Sequence, residues 1–347
     1  MPDIEQETFW ERIRREAISG SGINERDALA VLQLPQGEMW RLLEVTDRVR
    51  RLFKGNLIRL CSILNAKSGH CSEDCSFCAQ SCRSQAAIDR YQLVDEETMV
   101  AAARDAKKLK AGEFSLVTSG FAVHKRADLE RLGNALDRIK NQEKIDTCVS
   151  IGALSREDTA YLLSRGLSNI HHNLETSRSF FPSMCTTHTY EDDVMAVRDA
   201  KKSGARVCSG GIFGIGESPA DRLELAQTLR ELDVDSIPVN FLNPIPGTPL
   251  EGKRELSPFE CLKIIAMFRL FLPKKEVIVC GGRKENLRDL QSLVFSAGAN
   301  GLLIGNYLTT LGRPPESDLQ MIEDLGLEAQ PGRRRRSRKG KASFGFP

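Results

Sequence analysis

The sequence lacks the long apolar runs of membrane-spanning proteins and the signal peptide of exported proteins. Aromatic residues make up only 6% of its 347 residues, and no stretch approaches the roughly 18 consecutive apolar residues of a membrane span. The first residues lack the basic segment and apolar core of a signal peptide. A hydrophobic fraction of 41% is still enough for a large core. We therefore expect a cytoplasmic protein that does not associate with membranes.

Acidic residues are missing from the C-terminal end. No Asp or Glu follows Glu328, whereas residues 333–341 hold seven Arg and Lys. The rest of the chain has a net charge of −5, which is the overall +2 less those seven positive charges. A negative body argues against nucleic acid as the main partner. Residues 327–347 are predicted to be a disordered basic tail, with transient contact to RNA or an acidic partner as an open alternative.

Cysteine, by contrast, is plentiful and carries the strongest signal. Ten cysteines without an export signal point to metal binding or catalysis and not to disulfides. Cys71, Cys75 and Cys78 form a C-x3-C-x2-C pattern, which lets one loop bind three irons of a cuboidal cluster. Such clusters normally take four cysteines, so the fourth iron is left for a substrate or cofactor.

Two questions about this cysteine loop stay open from spacing alone. Cys82 lies four residues after Cys78, and it is either a fourth ligand or an unligated residue of the following segment. The alternative metal is zinc in a knuckle. Zinc sites usually add a second cysteine pair or histidines, and no such partner follows the loop.

Strand and helix patterns alternate after residue 55. Apolar runs predict strands at 58–64, 114–118, 146–151, 168–174, 205–212, 235–242, 276–280 and 300–305. Amphipathic stretches predict helices at 95–111, 126–140, 155–165, 189–203, 218–232, 257–271 and 284–297. Parallel neighbours need crossover connections, so this α/β pattern predicts a (β/α)8 TIM-type barrel over 56–326, with an N-terminal helical extension over 1–55. An open doubly wound sheet is the alternative, but no G-x-G-x-x-G follows the first strand.

Three further cysteines lie within predicted strands. Cys148, Cys208 and Cys280 are on strands that converge in one barrel, and functional residues of barrels gather at the C-terminal ends of strands. A single buried cysteine is often only a small apolar residue. Three together favour a shared metal site.

Several motifs resemble those of the biotin synthases, a family of radical S-adenosylmethionine (SAM) enzymes. The resemblance runs from about residue 30 to 326. Its pieces are Ser-Gly-His-Cys-Ser-Glu-Asp-Cys-Ser-Phe-Cys-Ala-Gln at 68–80, His-Asn-Leu-Glu-Thr at 172–176, Thr-Thr-His-Thr-Tyr at 186–190, Val-Cys-Ser-Gly-Gly-Ile-Phe-Gly-Ile-Gly-Glu at 207–217 and Gly-Thr-Pro at 247–249.

The resemblance implies sulfur insertion between two saturated carbons of dethiobiotin, giving biotin. A reduced 4Fe-4S cluster cleaves SAM, the 5′-deoxyadenosyl radical removes a hydrogen from carbon, and an auxiliary iron–sulfur cluster donates the sulfur. No catalytic side chain is expected, because the clusters and SAM supply the chemistry. The resemblance also implies a reductant such as flavodoxin or ferredoxin, and a homodimer.

Residue by residue, the resemblance assigns the SAM side of the site. The positions that match the ligands of the SAM cluster are Cys71, Cys75 and Cys78. Phe77 matches the aromatic residue near the SAM adenine. Asn173 and Glu175 match the positions that bind the SAM ribose, although Glu175 stands where Asp is expected.

The resemblance also assigns dethiobiotin contacts. Asn173 and Asn240 match the residues that bind the ureido group, and Thr309 and Thr310 match the pair near the carboxylate. Taken alone, Asn240 could be a strand-end amide with satisfied hydrogen bonds, and the two threonines could be ordinary loop residues.

The auxiliary ligand set departs from the family pattern of three cysteines and one arginine. Cys148 and Cys208 fill two cysteine positions, but Ser115 and Ile278 occupy the other two. Cys280 lies two residues after Ile278, on the same strand face, so we expect it to be the third ligand. Three thiolates favour a 4Fe-4S core, or 4Fe-5S with an extra sulfide on the open iron, over 2Fe-2S. The alternatives for the whole chain are a related radical SAM maturase or mutase of the same fold, or a non-catalytic iron–sulfur protein.

Overall fold

The computed structural model describes residues 7–123, 125–253 and 256–330. The strands are β1 Leu57–Lys67, β2 Glu113–Thr118, β3 Asp146–Ser150, β4 Asn169–His171, β5 Arg206–Cys208, β6 Gly211–Phe213, β7 Ser236–Phe241, β8 Glu276–Val279, β9 Gly301–Leu303 and β10 Glu328–Gln330. The helices are α1 Phe9–Ser19, α2 Glu25–Gln33, α3 Met39–Lys54, α4 Glu96–Lys108, α5 Arg126–Arg138, α6 Arg156–Ser164, α7 Tyr190–Lys202, α8 Pro219–Glu231, α9 Pro258–Phe271, α10 Arg283–Leu287, α11 Leu293–Ser296 and α12 Pro315–Asp324.

The strands close into the predicted parallel barrel. Pairing runs β1-β2-β3-β4-β5-β7-β8-β9, and β9 pairs with β1. β6 continues the line of β5 and pairs with β7, so β5 and β6 share the fifth of eight strand positions. The (β/α)8 prediction is confirmed, and the open-sheet alternative is wrong because the two end strands pair with each other.

The fifth strand is interrupted where the sequence predicted one continuous run over 205–212. A Cβ on Gly210 would lie 2.0 Å from the Pro238 carbonyl oxygen, and one on Gly211 would lie 2.4 Å from that of Glu175. Only glycine allows the backbone to approach so closely. The glycine pair therefore brings the strand break against the loop that carries Asn173 and Glu175.

The predicted helix over 284–297 is wrong as a single element. It forms α10 and α11 with an irregular segment between them, because the chain folds back on the buried Arg283. The Gln291 side chain accepts a hydrogen bond from Arg283 Nη1 at 2.9 Å and donates one to the Arg283 carbonyl at 3.0 Å. Arg283 also forms a bidentate ion pair with Asp318 of α12, at 2.6 and 3.1 Å.

We expect Asp318→Ala to be among the most destabilising single changes outside the site. Both side chains of the Arg283–Asp318 pair are at most 1% exposed, and removal of one partner leaves a buried charge, which typically costs about 3–5 kcal/mol. Anaerobic denaturant unfolding should show this loss. Glu316→Ala, at an exposed position of the same helix, is the matched control, and equal midpoints for both variants would contradict the prediction.

The ends of the described chain adjoin the barrel. Helices α1–α3 precede β1 and pack against α9. The predicted tail begins at residue 327, but Glu328–Gln330 is a strand, β10, which pairs with the start of β1 outside the closed eight-strand barrel, so the sheet continues to residue 330. The basic segment 331–347 lies outside the described residues. Within the described ranges, none of the helices combines the length and apolar character needed to cross a bilayer.

Candidate iron–sulfur and substrate site

The cysteine loop follows β1 and is fastened to a segment more than 100 residues away. The Asp74 carboxylate accepts hydrogen bonds from the Thr186 amide at 2.8 Å and the Thr186 hydroxyl at 2.5 Å. The Ser76 amide donates to the Met184 carbonyl at 2.9 Å. Two of the sequence motifs, 68–80 and 186–190, are thus parts of one unit that fixes the shape of the loop.

The four loop cysteines differ in their surroundings. Cys71, Cys75 and Cys78 are partly buried, whereas Cys82 is exposed. The Cys82 amide donates to the Glu73 carbonyl at 3.0 Å, which turns the chain back on itself. Cys78 lines the large cavity in the barrel and Cys82 does not. Cys82 therefore differs from the other three in its exposure, whereas Cys71 and Cys75 also lie outside the cavity lining.

Sequence reasoning missed Cys185 beside the loop. Its Sγ lies 3.8 Å from Cys75 Sγ, and the hydrogen bond from Cys75 lowers the pKa of Cys185 to about 6. Ligand atoms of Glu73, Cys185 and His188 all lie within 4.8 Å of one another. Nothing in the spacing of the sequence signals this group, because it depends on contact between distant segments.

A single cavity of about 330 Å³ brings most of the predicted site residues together. The predicted residues that line it are Phe77, Cys78, Ser115, Cys148, Asn173, Glu175, Cys208, Asn240, Ile278, Cys280, Thr309 and Thr310. Cys71 and Cys75 are not among the lining residues. Sequence reasoning missed several of the other lining residues, among them Cys61, Glu113 and His171.

The strand cysteines are buried thiols with weak hydrogen-bond partners. Cys148 Sγ lies 3.8 Å from the Val149 carbonyl oxygen, and Cys280 Sγ lies 3.6 Å from that of Ile278. Burial raises the pKa of Cys208 to about 12 and that of Cys148 and Cys280 well above the usual value. Such thiols ionise when a metal displaces the proton, so this donor set suits soft metal ions such as those of iron–sulfur clusters.

Buried charges form the floor beneath these cysteines. The Glu113 carboxylate accepts hydrogen bonds from Arg59 and Asn169. Arg59 Nη1 is buried and has no hydrogen-bond partner among the described residues. Burial and, after it, the Glu113 carboxylate raise the pKa of Cys61, Cys148 and Cys208, and the charge of Arg59 offsets only part of this rise. A buried cation with a spare N–H group fits an anionic cluster in this part of the barrel.

Amide side chains line the upper part of the cavity. Asn173 Oδ1 accepts a hydrogen bond from the Gly210 amide at 3.1 Å, and Asn240 Oδ1 accepts one from the Gly281 amide at 3.0 Å. Asn173 Nδ2 donates a hydrogen bond to Glu175 Oε2 at 3.3 Å. The backbone of Glu175 has a φ of +61°, and desolvation raises the pKa of its carboxyl group to about 8. These bonds fix both amide planes at the cavity wall.

Comparison with known proteins decides the family. Residues 67–229 match the Radical SAM superfamily, and residues 238–328 match the Biotin and Thiamin Synthesis associated domain. The biotin synthase of Geobacter sulfurreducens is 52% identical over 319 residues, covering 92% of this chain and 97% of its own length. That of Geotalea daltonii is 51% identical, covering 91% and 96%. The chain belongs to the biotin synthase family.

Two solved structures share the fold of this chain. Methylornithine synthase has a TM-score of 0.78 with 22% identity, covering 92% of this chain and 97% of its own chain. A maturase of the [FeFe]-hydrogenase has a TM-score of 0.79 with 16% identity, covering 93% and 75%. At these identities the likeness supports the barrel fold alone. The resemblance to biotin synthases noted from the motifs is confirmed.

Proposed function

We propose that this radical SAM enzyme holds two separate iron–sulfur clusters, one on the loop after β1 and one inside the barrel, with dethiobiotin between them. The enzyme is a biotin synthase, which converts dethiobiotin to biotin by sulfur insertion and uses a 4Fe-4S cluster and SAM. The observation that carries the two-cluster arrangement is the shared cavity. Cys78 of the loop and Cys148, Cys208 and Cys280 of the strands all line it.

The loop cysteines are the proposed ligands of the SAM cluster. Cys71, Cys75 and Cys78 bind three irons and leave one iron for SAM. Phe77, which is partly buried and lines the cavity, packs against the adenine. Asn173 and Glu175 bind the ribose, and the longer Glu side chain reaches the same group from a backbone held in the left-handed conformation. The bound clusters and SAM supply the radical chemistry and the sulfur.

The proposed dethiobiotin contacts lie at two places on the cavity wall. Asn173 and Asn240 bind the ureido group, because their amides retain hydrogen-bonding capacity beyond the backbone contacts that orient them. Thr309 and Thr310 bind the carboxylate from the loop after β9, which the Tyr307 amide closes by donating to the Thr310 carbonyl at 2.9 Å.

The proposed auxiliary cluster is cuboidal, of the 4Fe-4S or 4Fe-5S type, with Cys148, Cys208 and Cys280 as ligands. Serine is a poor iron ligand and isoleucine is none, so a 2Fe-2S cluster would keep only two of its usual ligands here. Cys280 lines the cavity together with Ile278, as expected for residues on one strand face. We further propose a flavodoxin or ferredoxin as the reducing partner, a homodimer and a cytoplasmic location.

Anaerobic assay with dethiobiotin tests the function directly. We expect the reduced enzyme to form biotin and to consume about two SAM per product, because two carbon–hydrogen bonds must be broken. About one sulfide should be lost from the protein per turnover, measured as acid-labile sulfide. SAM cleavage that is unchanged by dethiobiotin, with no biotin formed, would instead support a maturase or mutase activity.

A further inference from the structure

Cys61 lies in the same cavity as the three proposed auxiliary ligands and has no role in the site as described so far. It is 8% exposed and lines the cavity together with Cys148, Cys208 and Cys280. It belongs to a small buried cluster with Ile278, Cys280 and Leu303, which is separate from the main core. A cysteine that served only as packing would be expected in that main core, where Cys261 of α9 lies.

The barrel geometry places one cysteine on every second strand. Cys61, Cys148 and Cys208 lie on the first, third and fifth strands, and Cys280 directly follows the seventh, β8. Side chains from alternate strands of a closed eight-stranded barrel point into shared interior layers. The four thiols therefore surround the barrel axis and do not lie along one wall.

Cys61 and Cys280 lie on either side of β9. Cys61 of β1 pairs with Leu303 of β9, and the pairing of β8 with β9 ends at Val279, one residue before Cys280. Cys61, Cys280 and Leu303 belong to one buried cluster. Two strand spacings are about 9–10 Å between backbones, and both cysteines line the cavity.

The thiol of Cys61 contacts a carboxylate. Its Sγ lies 3.5 Å from Glu113 Oε1, whereas Cys148 and Cys280 contact backbone carbonyls, and Cys148 and Cys208 also contact the side chains of Ser115 and Ser236. The other oxygen of Glu113 is occupied by Arg59 and Asn169. A carboxylate held in this position can accept the thiol proton when sulfur binds a metal.

We propose that Cys61 is the fourth protein ligand of the auxiliary cluster, so that one cysteine binds each of its four irons. This inference rests on the proposed function, which supplies the other three ligands. Four thiolates are the normal ligand set of a 4Fe-4S cluster and equally of a 2Fe-2S cluster, so the iron content measured below also decides between these two cluster types. The resting auxiliary cluster then has no open iron for a fifth sulfide, in contrast to the SAM cluster.

The test uses full-length protein in which Cys71, Cys75 and Cys78 are all changed to Ala, because this removes the SAM cluster and leaves only the auxiliary one. After anaerobic reconstitution, this parent should contain about four irons and about four sulfides per chain, the content of one 4Fe-4S cluster. Adding Cys61→Val, which replaces the thiol with an apolar side chain, should lower iron to about three or fewer after mild oxidation, because the unligated iron is lost first. Mössbauer and EPR spectra report the change without any activity assay.

Control variants distinguish the loss of a Cys61 ligand from misfolding and from an error in the three-cysteine assignment. Cys261→Val, a buried cysteine of α9 outside the cavity, should retain about four irons, and Cys61→Ser replaces Cys61→Val if the latter does not fold by circular dichroism. Four irons with unchanged Mössbauer parameters in the Cys61 variant, or a fifth sulfide in the parent, would overturn the inference. Cys280→Ala in the same parent tests the proposed function separately, since full iron content there would refute the three-cysteine assignment whatever the result at Cys61.

Discussion

Changing any one of Cys71, Cys75 or Cys78 to Ala is expected to abolish SAM cleavage, while Cys82→Ala retains most of it. Each of the three is a proposed iron ligand, and we expect its loss to open a second iron or to release the cluster. Cys82 is exposed, whereas the other three loop cysteines are partly buried, so we expect its thiol not to be needed. The measurement is the amount of 5′-deoxyadenosine formed by reduced protein, together with the iron content, which should fall from about eight to about four per chain.

The structure adds one control to this experiment. Cys185 Sγ lies 3.8 Å from Cys75 Sγ, close enough to bind the iron that Cys75→Ala vacates. Residual cluster in Cys75→Ala that disappears in the double variant with Cys185→Ala would show such substitution, whereas Cys185→Ala alone should keep the cluster. Loss of the cluster in Cys82→Ala with retention in Cys71→Ala would contradict the ligand assignment.

Cys280→Ala is expected to eliminate biotin formation while leaving reductive SAM cleavage intact. The change removes a proposed ligand of the auxiliary cluster but touches nothing in the loop after β1. The intact enzyme should hold about eight irons per chain if both clusters are cuboidal and about six if the auxiliary cluster is 2Fe-2S. In the variant the count should fall to about four, the content of the SAM cluster alone.

The control for truncating any buried cysteine is Cys261→Ala. Cys261 is a fully buried residue of α9 that does not line the cavity. It should keep both clusters and the full yield of biotin. If Cys280→Ala also gives the full yield, Cys280 is only a packing residue and the auxiliary cluster must be held by other groups.

The barrel was predictable because its signals are local. Strands appear as short apolar runs and helices as amphipathic stretches, and their alternation restricts the fold to few topologies. The failures occurred where a tertiary contact overrides local pattern. The helix over 284–297 is broken because Arg283 is bound from two sides by Gln291 and Asp318, and the amphipathic spacing of the segment contains no sign of that pair.

The residues of the candidate site also fall into two groups: those that local sequence pattern indicates and those that only tertiary contacts bring together. The sequence by itself determined the C-x3-C-x2-C loop, because three ligands within eight residues need no long-range register to act together. It also predicted that Cys280 faces the barrel interior with residue 278, because side chains two residues apart share one strand face, and both residues line the cavity. Only the tertiary structure decided that Cys61, Glu113 and Cys185 belong to the site. Their positions depend on barrel closure and on how the loop after β1 meets residues 184–188, and contacts between segments so far apart leave no periodic trace in the sequence.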